Sequence, residues 1–211
     1  MLPSPEEQRR FAPATQRNRD PILACLQRYL PPEGTVLEVA SGTGEHAVYF
    51  APHLASRVWQ PTEADPLLCD SIRAWTEHCP ATNLKPPLLL NVQDSPWPLE
   101  DSPPQPPITA LVNINMIHIA PWSACLALMG GAGRLLPKGG VLYLYGPFQR
   151  EGSHTAPSNA EFDQHLRLQD PAWGVRPLEE VTAAAAQEKL QLLAVESMPA
   201  NNFSVIFQRS G

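Results

Sequence analysis

A short buried strand that ends in a glycine-rich turn constrains the fold of this chain more than any other segment. Thr35 to Val39 has the β-branched, mostly apolar composition of a strand buried on both faces. Gly42 and Gly44 follow, and a backbone without Cβ atoms can pass close to a ligand there. Glu45 to Leu54 is predicted to be a helix. This order predicts the first unit of a Rossmann-like sheet, with a ligand crevice at the carboxyl end of the strand.

An acidic side chain near the end of this strand indicates what the crevice holds. Glu38 lies four residues before Gly42, and a carboxylate there disfavours a dinucleotide pyrophosphate, which prefers backbone N–H groups. It favours a ligand with a positive charge, and S-adenosylmethionine carries an ammonium and a sulfonium group. Gly42, Gly44 and Ala47 also satisfy the looser dinucleotide pattern G-x-G-x-x-G/A. A nicotinamide cofactor therefore stays an alternative.

Length and composition predict one domain with a small ligand. The 211 residues are enough for one buried core and too few for two domains of ordinary size. We expect residues 1–16 to be an N-terminal extension and residues 17–211 to form a single domain. The net charge of −6 argues against a nucleic-acid partner. The four cysteines include no C-x-x-C pair, so neither a disulfide framework nor a metal site is expected.

No segment of the sequence resembles a membrane anchor or a signal peptide. A membrane-spanning helix needs about 18 or more unbroken apolar residues, and no window supplies them. The first ten residues are polar and contain proline, unlike the apolar core of a secretory leader. We therefore expect a cytoplasmic protein with no membrane partner.

The rest of the chain predicts strands that alternate with helices. Asp20-Pro21 and Asp65-Pro66 each have the N-cap and first-turn residues of a helix. Further strands are predicted over 57–60, 88–92, 108–115 and 141–145, a proline-rich loop over 95–107, and helices over 121–136 and 177–191. This alternation implies right-handed crossovers and a parallel sheet.

The C-terminus breaks the alternation. Residues 192–198 and 203–209 are β-like, and the four residues Pro199 to Asn202 that join them permit only an antiparallel pair. The predicted fold is therefore α/β and Rossmann-like. Its sheet has seven strands, is mostly parallel, ends in a C-terminal antiparallel β-hairpin, and carries helices on both faces. This arrangement resembles the class I methyltransferase fold.

Two sets of motifs carry a family resemblance. The spacing of Glu38, Ala40, Gly42 and Gly44 resembles the first class I methyltransferase motif, E/D-x-G-x-G-x-G. Ala40 replaces the first glycine, which the backbone tolerates if φ at this position is negative. Segments 17–23, 38–42, 59–61, 115–118, 145–148 and 198–202 together resemble the methyltransferase-like family called domain of unknown function 938, over about 17–207. The resemblance implies a class I methyltransferase fold and S-adenosylmethionine binding, without a substrate.

Candidate cofactor-binding residues follow the ends of the predicted strands. Glu63 follows the second strand, where a carboxylate can accept both hydrogen bonds of a ribose diol. The resemblance implies that Asn91 and Val92 meet the adenine, and Arg17 is placed before the first helix to meet the methionyl carboxylate. The predicted cofactor set is Arg17, Glu38, Ala40, Ser41, Gly42, Gly44, Glu63, Asn91, Val92 and Asn115.

Candidate acceptor-binding residues come from the second half of the chain. Asn115 and His118 lie at the end of the fourth strand, an edge that the resemblance places under the transferred methyl group. Residues 146–157 form a loop suited to act as a lid, and Ser158 to Glu161 has the S-x-x-E pattern of a helix capping box. His118, Asn115 and Asp163 are the predicted catalytic residues, for acceptor positioning or as a base. The predicted substrate-binding set is Tyr145, Phe148, Asn159, Asn201 and Asn202.

These features together predict an S-adenosylmethionine-dependent methyltransferase that acts on a small-molecule acceptor. Methyl transfer from a sulfonium is an in-line displacement, in which the protein aligns two reactants and supplies no nucleophile. The sequence therefore leaves open a non-catalytic module that binds the cofactor or its product and acts through a protein partner. A nicotinamide-dependent oxidoreductase is the third reading, which Glu38 and the hairpin disfavour.

Overall fold

The computed structural model describes residues 8–211, so residues 1–7 of the predicted extension lie outside the described part of the chain. The helices are α1 Pro13–Tyr29, α2 Glu45–His53, α3 Pro66–Glu77, α4 Pro98–Asp101, α5 Trp122–Leu135, α6 Pro157–Gln169 and α7 Leu178–Gln187. The strands are β1 Gly34–Val39, β2 Arg57–Glu63, β3 Leu88–Leu89, β4 Ile108–Ile114, β5 Val141–Gly146, β6 Phe148–Arg150, β7 Ser153–His154, β8 Arg176–Pro177, β9 Leu190–Met198 and β10 Asn202–Arg209.

Seven of these strands form the main sheet, in the order β3-β2-β1-β4-β5-β10-β9. Strand β1 pairs in parallel with β2, and β2 pairs in parallel with β3. Strand β10 runs antiparallel to both β5 and β9. The predicted mostly parallel sheet with a C-terminal antiparallel hairpin is therefore confirmed. Strands β6, β7 and β8 form a separate small sheet.

The described part of the chain divides into two compact units, the first up to Val112 and the second over Asn113–Gly211. In the first unit every residue of β1 is buried, as the apolar composition predicts, and Phe50 of α2 packs against Trp59 of β2. In the second unit every residue of β5 is buried, and the completely buried Tyr143 hydroxyl pairs with Ser204 of β10.

The first helix begins earlier than the sequence indicates. We predicted Asp20 as its N-cap, and this is wrong, because α1 begins at Pro13 and contains Pro21 in its interior. Arg17 and Asn18 therefore lie within the helix, not before it. An interior proline removes one backbone hydrogen bond and costs about 3 kcal/mol. The burial of Thr15, Asn18, Ile22 and other residues along one face of α1 offsets that cost.

A second helix start also differs from the prediction. Helix α6 begins at Pro157, with Ala156 at the N-cap and no side-chain cap. The fixed φ of proline suits the first helical position, so Ser158 falls inside the helix and the predicted capping box from Ser158 to Glu161 is wrong. Asp65, in contrast, is the N-cap of α3 as predicted, and its carboxylate accepts a hydrogen bond from Leu67 N.

Other element boundaries shift by a few residues. Strand β2 extends beyond Gln60 to Glu63, β3 is restricted to Leu88–Leu89, and the predicted loop over 95–107 contains the four-residue helix α4. Within residues 8–211, none of the helices has both the length and the apolar composition that a bilayer crossing requires.

Candidate functional site

The turn that follows β1 uses the left-handed backbone region at every second residue. Ala40, Gly42 and Gly44 have φ values of 57°, 58° and 93°. The expectation that Ala40 keeps a negative φ is therefore wrong, and a residue with a Cβ atom pays a strain of roughly 1–2 kcal/mol there. Ser41 fixes the turn, because its N–H donates to Thr62 O at 2.8 Å. The chain needs this conformation to reverse direction between β1 and α2.

The two glycines of the turn serve different purposes. A Cβ atom on Gly44 would lie 2.9 Å from the Cα of Ile72, so this glycine allows the turn to pack on α3. A Cβ atom on Gly42 would meet nothing within 4 Å. Gly42 therefore leaves open space beside a backbone of positive φ, as a ligand that lies close to the main chain requires.

Glu63 closes the other side of this open space. It is buried at the end of β2, and its Oε2 accepts a hydrogen bond from Gly42 N at 2.8 Å. Its Oε1 accepts from Ala64 N at 2.8 Å. Oε1 also accepts from Asp65 N at 3.3 Å. Each carboxylate oxygen has two lone pairs, so Oε2 retains capacity for one further donor. The structure thus brings Glu63 and Gly42, which lie far apart in the sequence, into direct contact.

Glu38 is the second acidic group of this region and is almost completely buried. Its Oε2 accepts a hydrogen bond from the indole Nε1 of Trp59 at 3.0 Å. Burial raises the pKa of Glu38 to about 7, although the hydrogen bond from Trp59 lowers it. Sequence reasoning missed Trp59 as a partner. A tryptophan within a buried strand was the available signal, since its indole N–H needs an acceptor.

The other predicted cofactor residues of the first unit occupy different environments. Asn91 is exposed, and its Oδ1 accepts a hydrogen bond from Gln93 N at 3.0 Å. Val92 is buried, and its carbonyl accepts from the indole of Trp97 at 3.1 Å. Arg17 is exposed on α1. The sequence placed Asn91 and Val92 in a strand, whereas they follow β3 in a turn.

In the second unit, Asn115 follows β4 in a left-handed conformation with φ of 65°. Its N–H donates to Tyr145 O at 2.8 Å, and its carbonyl accepts from His118 N at 3.0 Å. The side chain of Asn115 is half-buried. These contacts join the predicted residues Asn115, Tyr145 and His118 at the carboxyl end of β5.

His118 is completely buried. Burial lowers its pKa to about 3, with a further contribution from the Arg176 charge, so the imidazole is neutral at physiological pH. Its Nδ1 lies 3.4 Å from Arg176 N, which donates to it. Among residues 8–211, no hydrogen-bond partner reaches Nε2. The ring packs edge-on against Phe148, with centroids 5.0 Å apart.

A glycine makes this placement of His118 possible. A Cβ atom on Gly146 would lie 2.5 Å from His118 Nε2 and 3.1 Å from Asn115 Oδ1. Arg176, which the sequence did not single out, holds the same segment. Its guanidinium donates to Ile117 O at 2.9 Å and to Ala120 O at 2.6 Å. Arg176 belongs to the two-residue strand β8, and a lone arginine outside the predicted elements gives no sequence signal for such a role.

The remaining predicted acceptor residues are held by bonds within the second unit. Asn159 Nδ2 donates to Asn201 O at 2.9 Å, which joins α6 to the tip of the β9–β10 hairpin. Asn202 Nδ2 donates to Pro199 O at 3.1 Å. Because β10 pairs its Phe203 with Gly146, this tip lies at the carboxyl end of β5, as predicted.

Asp163 of α6 is buried and bonded on both oxygens. Its Oδ2 accepts from Arg167 Nε at 2.8 Å, and its Oδ1 accepts from Val175 N at 2.7 Å. Burial by itself would raise the pKa of Asp163, but these hydrogen bonds and the Arg167 charge outweigh it and lower the pKa.

Within the described residues, His, Cys, Asp and Glu side chains form no group of three or more suited to a metal ion.

Solved structures share the fold of this chain. An O-methyltransferase family protein from Burkholderia thailandensis matches with a TM-score of 0.75 and 16% identity, over 94% of this chain and 57% of that chain. Human N-acetylserotonin methyltransferase in complex with SAM matches with a TM-score of 0.76 and 11% identity, over 99% of this chain and 57% of that chain. The fold is therefore the Rossmann-like methyltransferase fold, and the chain spans a little over half the length of these proteins.

The family itself follows from a sequence match. The family described as "Protein of unknown function (DUF938)" matches residues 9–209. Because this match covers nearly the whole sequence, the chain belongs to that family.

Proposed function

We propose that this protein is an S-adenosylmethionine-dependent methyltransferase that acts on a small-molecule acceptor. The observation that carries the proposal is the arrangement around Gly42. Its open side lies next to the Glu63 carboxylate at the end of β2, and Glu38 stands at the end of β1. In parallel α/β sheets, ligands bind beyond the carboxyl ends of the strands.

The residues around the turn suit this cofactor. Glu63 retains an acceptor lone pair on Oε2 for a ribose hydroxyl, and the open side of Gly42 gives room for a ligand against the backbone. Glu38 would gain a full negative charge beside a cation, which favours an ammonium or sulfonium group over a pyrophosphate. S-adenosylmethionine, when bound, supplies an electrophilic methyl group. We also assign the following residues to the proposed cofactor-binding site: Arg17, Ala40, Ser41, Gly44, Asn91, Val92 and Asn115.

The residues of the second unit are proposed to position the acceptor. Such a role needs alignment more than acid–base chemistry, because an in-line transfer from a sulfonium has a good leaving group. Asn115 is half-buried and offers an amide. His118 is buried with a pKa lowered to about 3, which makes it a poor base, and it is proposed to hold the wall of the acceptor region. Asp163, Tyr145, Phe148, Asn159, Asn201 and Asn202 complete the proposed acceptor region.

A second candidate is a non-catalytic module that binds the cofactor or its product and acts through a protein partner. The hydrogen bonds of Asp163 with Val175 and of Asn159 with Asn201 favour it, because both side chains then have a structural role within the second unit. The nicotinamide-dependent oxidoreductase is the third candidate. The negative charge that Glu38 gains on ionisation argues against it, since a pyrophosphate would be repelled.

Calorimetric titration separates these candidates. We expect the protein to bind S-adenosylmethionine and S-adenosylhomocysteine, and binding of NAD alone would reverse the order of the candidates. Glu63→Ala should weaken S-adenosylhomocysteine binding by about 1.5–3 kcal/mol, as the loss of a hydrogen bond to a charged group implies. Glu77→Ala, which removes an exposed carboxylate of α3, is the matched control. Cofactor consumption with a panel of metabolites then distinguishes an enzyme from a binding module.

A further inference from the structure

Residues 9–12, here called the strap, run beside the helices that flank the glycine turn. Arg10 N donates to Ser71 Oγ at 2.9 Å, and the indole Nε1 of Trp75 donates to Arg10 O at 3.0 Å. Phe11 packs edge-on against Trp75, with ring centroids 5.1 Å apart. Ala12 N donates to Glu45 Oε2. The strap is thus attached to both α2 and α3, through side chains and its own backbone.

Two of these side chains also hold the glycine turn. Glu45 Oε2 accepts a second hydrogen bond from Thr43 Oγ1 at 3.0 Å. Ser71 Oγ donates to Thr43 O at 2.8 Å while it accepts from Arg10 N. Both side chains are buried, with 8% of Glu45 and none of Ser71 exposed. Each is therefore a buried bridge from the strap to Thr43, which stands between Gly42 and Gly44.

The bridges act where the backbone most needs support. Ala40, Gly42 and Gly44, which alternate with Ser41 and Thr43, all have positive φ. Few local forces maintain this conformation. Glu45 is the first residue of α2, where the helix dipole favours its negative charge. Removing either side chain leaves buried polar groups of the strap and the turn without a partner, which is unfavourable for both.

We propose that Glu45 and Ser71 are positioning residues of the cofactor turn, and that through them docking of the strap and binding of the cofactor stabilise each other. The identity of the ligand rests on the proposed function. The coupling itself rests on the bridges. If ligand binding orders the turn, the turn orders the strap, and by thermodynamic linkage a docked strap raises the affinity for the ligand by the same factor.

Point variants of the full chain test this coupling. Glu45→Ala and Ser71→Ala remove the bridges, while Glu45→Gln keeps an acceptor oxygen and removes the charge. Arg73→Gln is the matched control, because Arg73 is an exposed residue of α3 that pairs with Asp70. The measurements are S-adenosylhomocysteine affinity by calorimetry and amide hydrogen exchange over residues 9–12 and 42–45, with and without the ligand.

In the unchanged protein, we expect S-adenosylhomocysteine to slow exchange in both segments. Glu45→Ala and Ser71→Ala should speed exchange over 42–45 without ligand and lower the affinity about five- to thirty-fold. They should also abolish the protection of 9–12 by the ligand. Glu45→Gln should retain most of the affinity, and Arg73→Gln should match the unchanged protein. If Glu45→Ala does not fold, Ser71→Ala and Glu45→Gln give the comparison.

The failures are distinguishable. Exchange over 42–45 in Glu45→Ala and Ser71→Ala that equals that in Arg73→Gln would overturn the inference, whether or not any ligand binds. Ligand binding without protection of 9–12 in the unchanged protein would also overturn it. An unchanged protein that binds neither S-adenosylmethionine nor S-adenosylhomocysteine refutes the proposed function instead, and exchange over 42–45 then decides the inference by itself.

Discussion

We predict that the buried carboxyl group of Glu38 makes binding of the proposed cofactor depend on pH. Burial raises the pKa of Glu38 from 4.5 to about 7, and the hydrogen bond from the Trp59 indole only partly opposes this shift. Without a ligand, the side chain is therefore partly protonated at neutral pH. A cation next to the carboxylate stabilises its ionised form. Binding of a cationic ligand should then release a proton.

The magnitude follows from the fraction of Glu38 that is ionised. With a pKa of about 7, this fraction is roughly one tenth at about pH 6 and nine tenths at about pH 8. If only the ionised form binds the ligand, the apparent affinity for S-adenosylhomocysteine should be about tenfold lower at about pH 6 than at about pH 8. This difference is about 1.4 kcal/mol. The amino group of the ligand also titrates near this range, so a variant must isolate the contribution of Glu38.

Calorimetry in two buffers of different ionisation enthalpy measures both the affinity and the proton release. We expect the unchanged protein to lose affinity toward low pH and to release protons near pH 7. Glu38→Gln should bind more weakly at high pH, with no proton release from this site. Equal pH dependence in the two proteins would refute the assignment of Glu38 as the group beside the cation.

The same pKa shift changes the stability of the ligand-free protein. Because the pKa of Glu38 is raised in the folded state, this group contributes its full stabilisation of the fold below about pH 4.5. That contribution is lost as the pH rises through about 7. The shift of Glu38 from 4.5 to about 7 corresponds to about 3 kcal/mol. Glu38→Gln should therefore be more stable than the unchanged protein at about pH 8 in urea unfolding. A less stable variant would contradict the burial argument.

Three further predictions concern backbone strain, packing and a buried histidine. Ala40→Gly should stabilise the fold by about 1 kcal/mol in urea unfolding, because φ is 57° there; an unchanged midpoint would contradict this. Gly44→Ala should destabilise by about 2 kcal/mol or more, because its Cβ would meet Ile72, whereas Gly42→Ala should cost only about 1 kcal/mol and mainly weaken S-adenosylhomocysteine binding; equal losses of stability would refute the contrast. His118, whose pKa burial lowers from 6.5 to about 3, should make the protein lose about 1.4 kcal/mol per pH unit as the pH falls below 6.5; acid unfolding of His118→Gln should lack this part of the slope, and an identical slope would show that the histidine is not buried and neutral.

Local patterns predicted the fold and several elements of the site. The sequence from β1 through Gly42 and Gly44 to α2 is a local signal, because strand composition and glycine conformation depend on neighbouring residues. The short connection before β10 in the same way required an antiparallel hairpin, and the sheet has one. Asp65 could also be recognised as a helix cap from its own position.

Local patterns failed where packing competed with them. Asp20-Pro21 has the residues of a helix start, yet α1 continues through it because burial of one helix face outweighs the proline. Ala40 has a positive φ, which is unfavourable for an alanine without support from other contacts. The hydrogen bond of Ser41 N to Thr62 O maintains this conformation of the turn. In both places the deciding contacts come from other parts of the chain.

Local sequence patterns were enough to place the seven strands of the main sheet, the longer helices, the glycine turn and the acids near it. The partners of those acids follow from the folded structure: Trp59 for Glu38, 21 residues away, and Ala12 for Glu45, 33 residues away. Backbone conformation is set by neighbours within a few residues, whereas the burial and hydrogen bonds that set a pKa arise between segments that meet only in the folded chain.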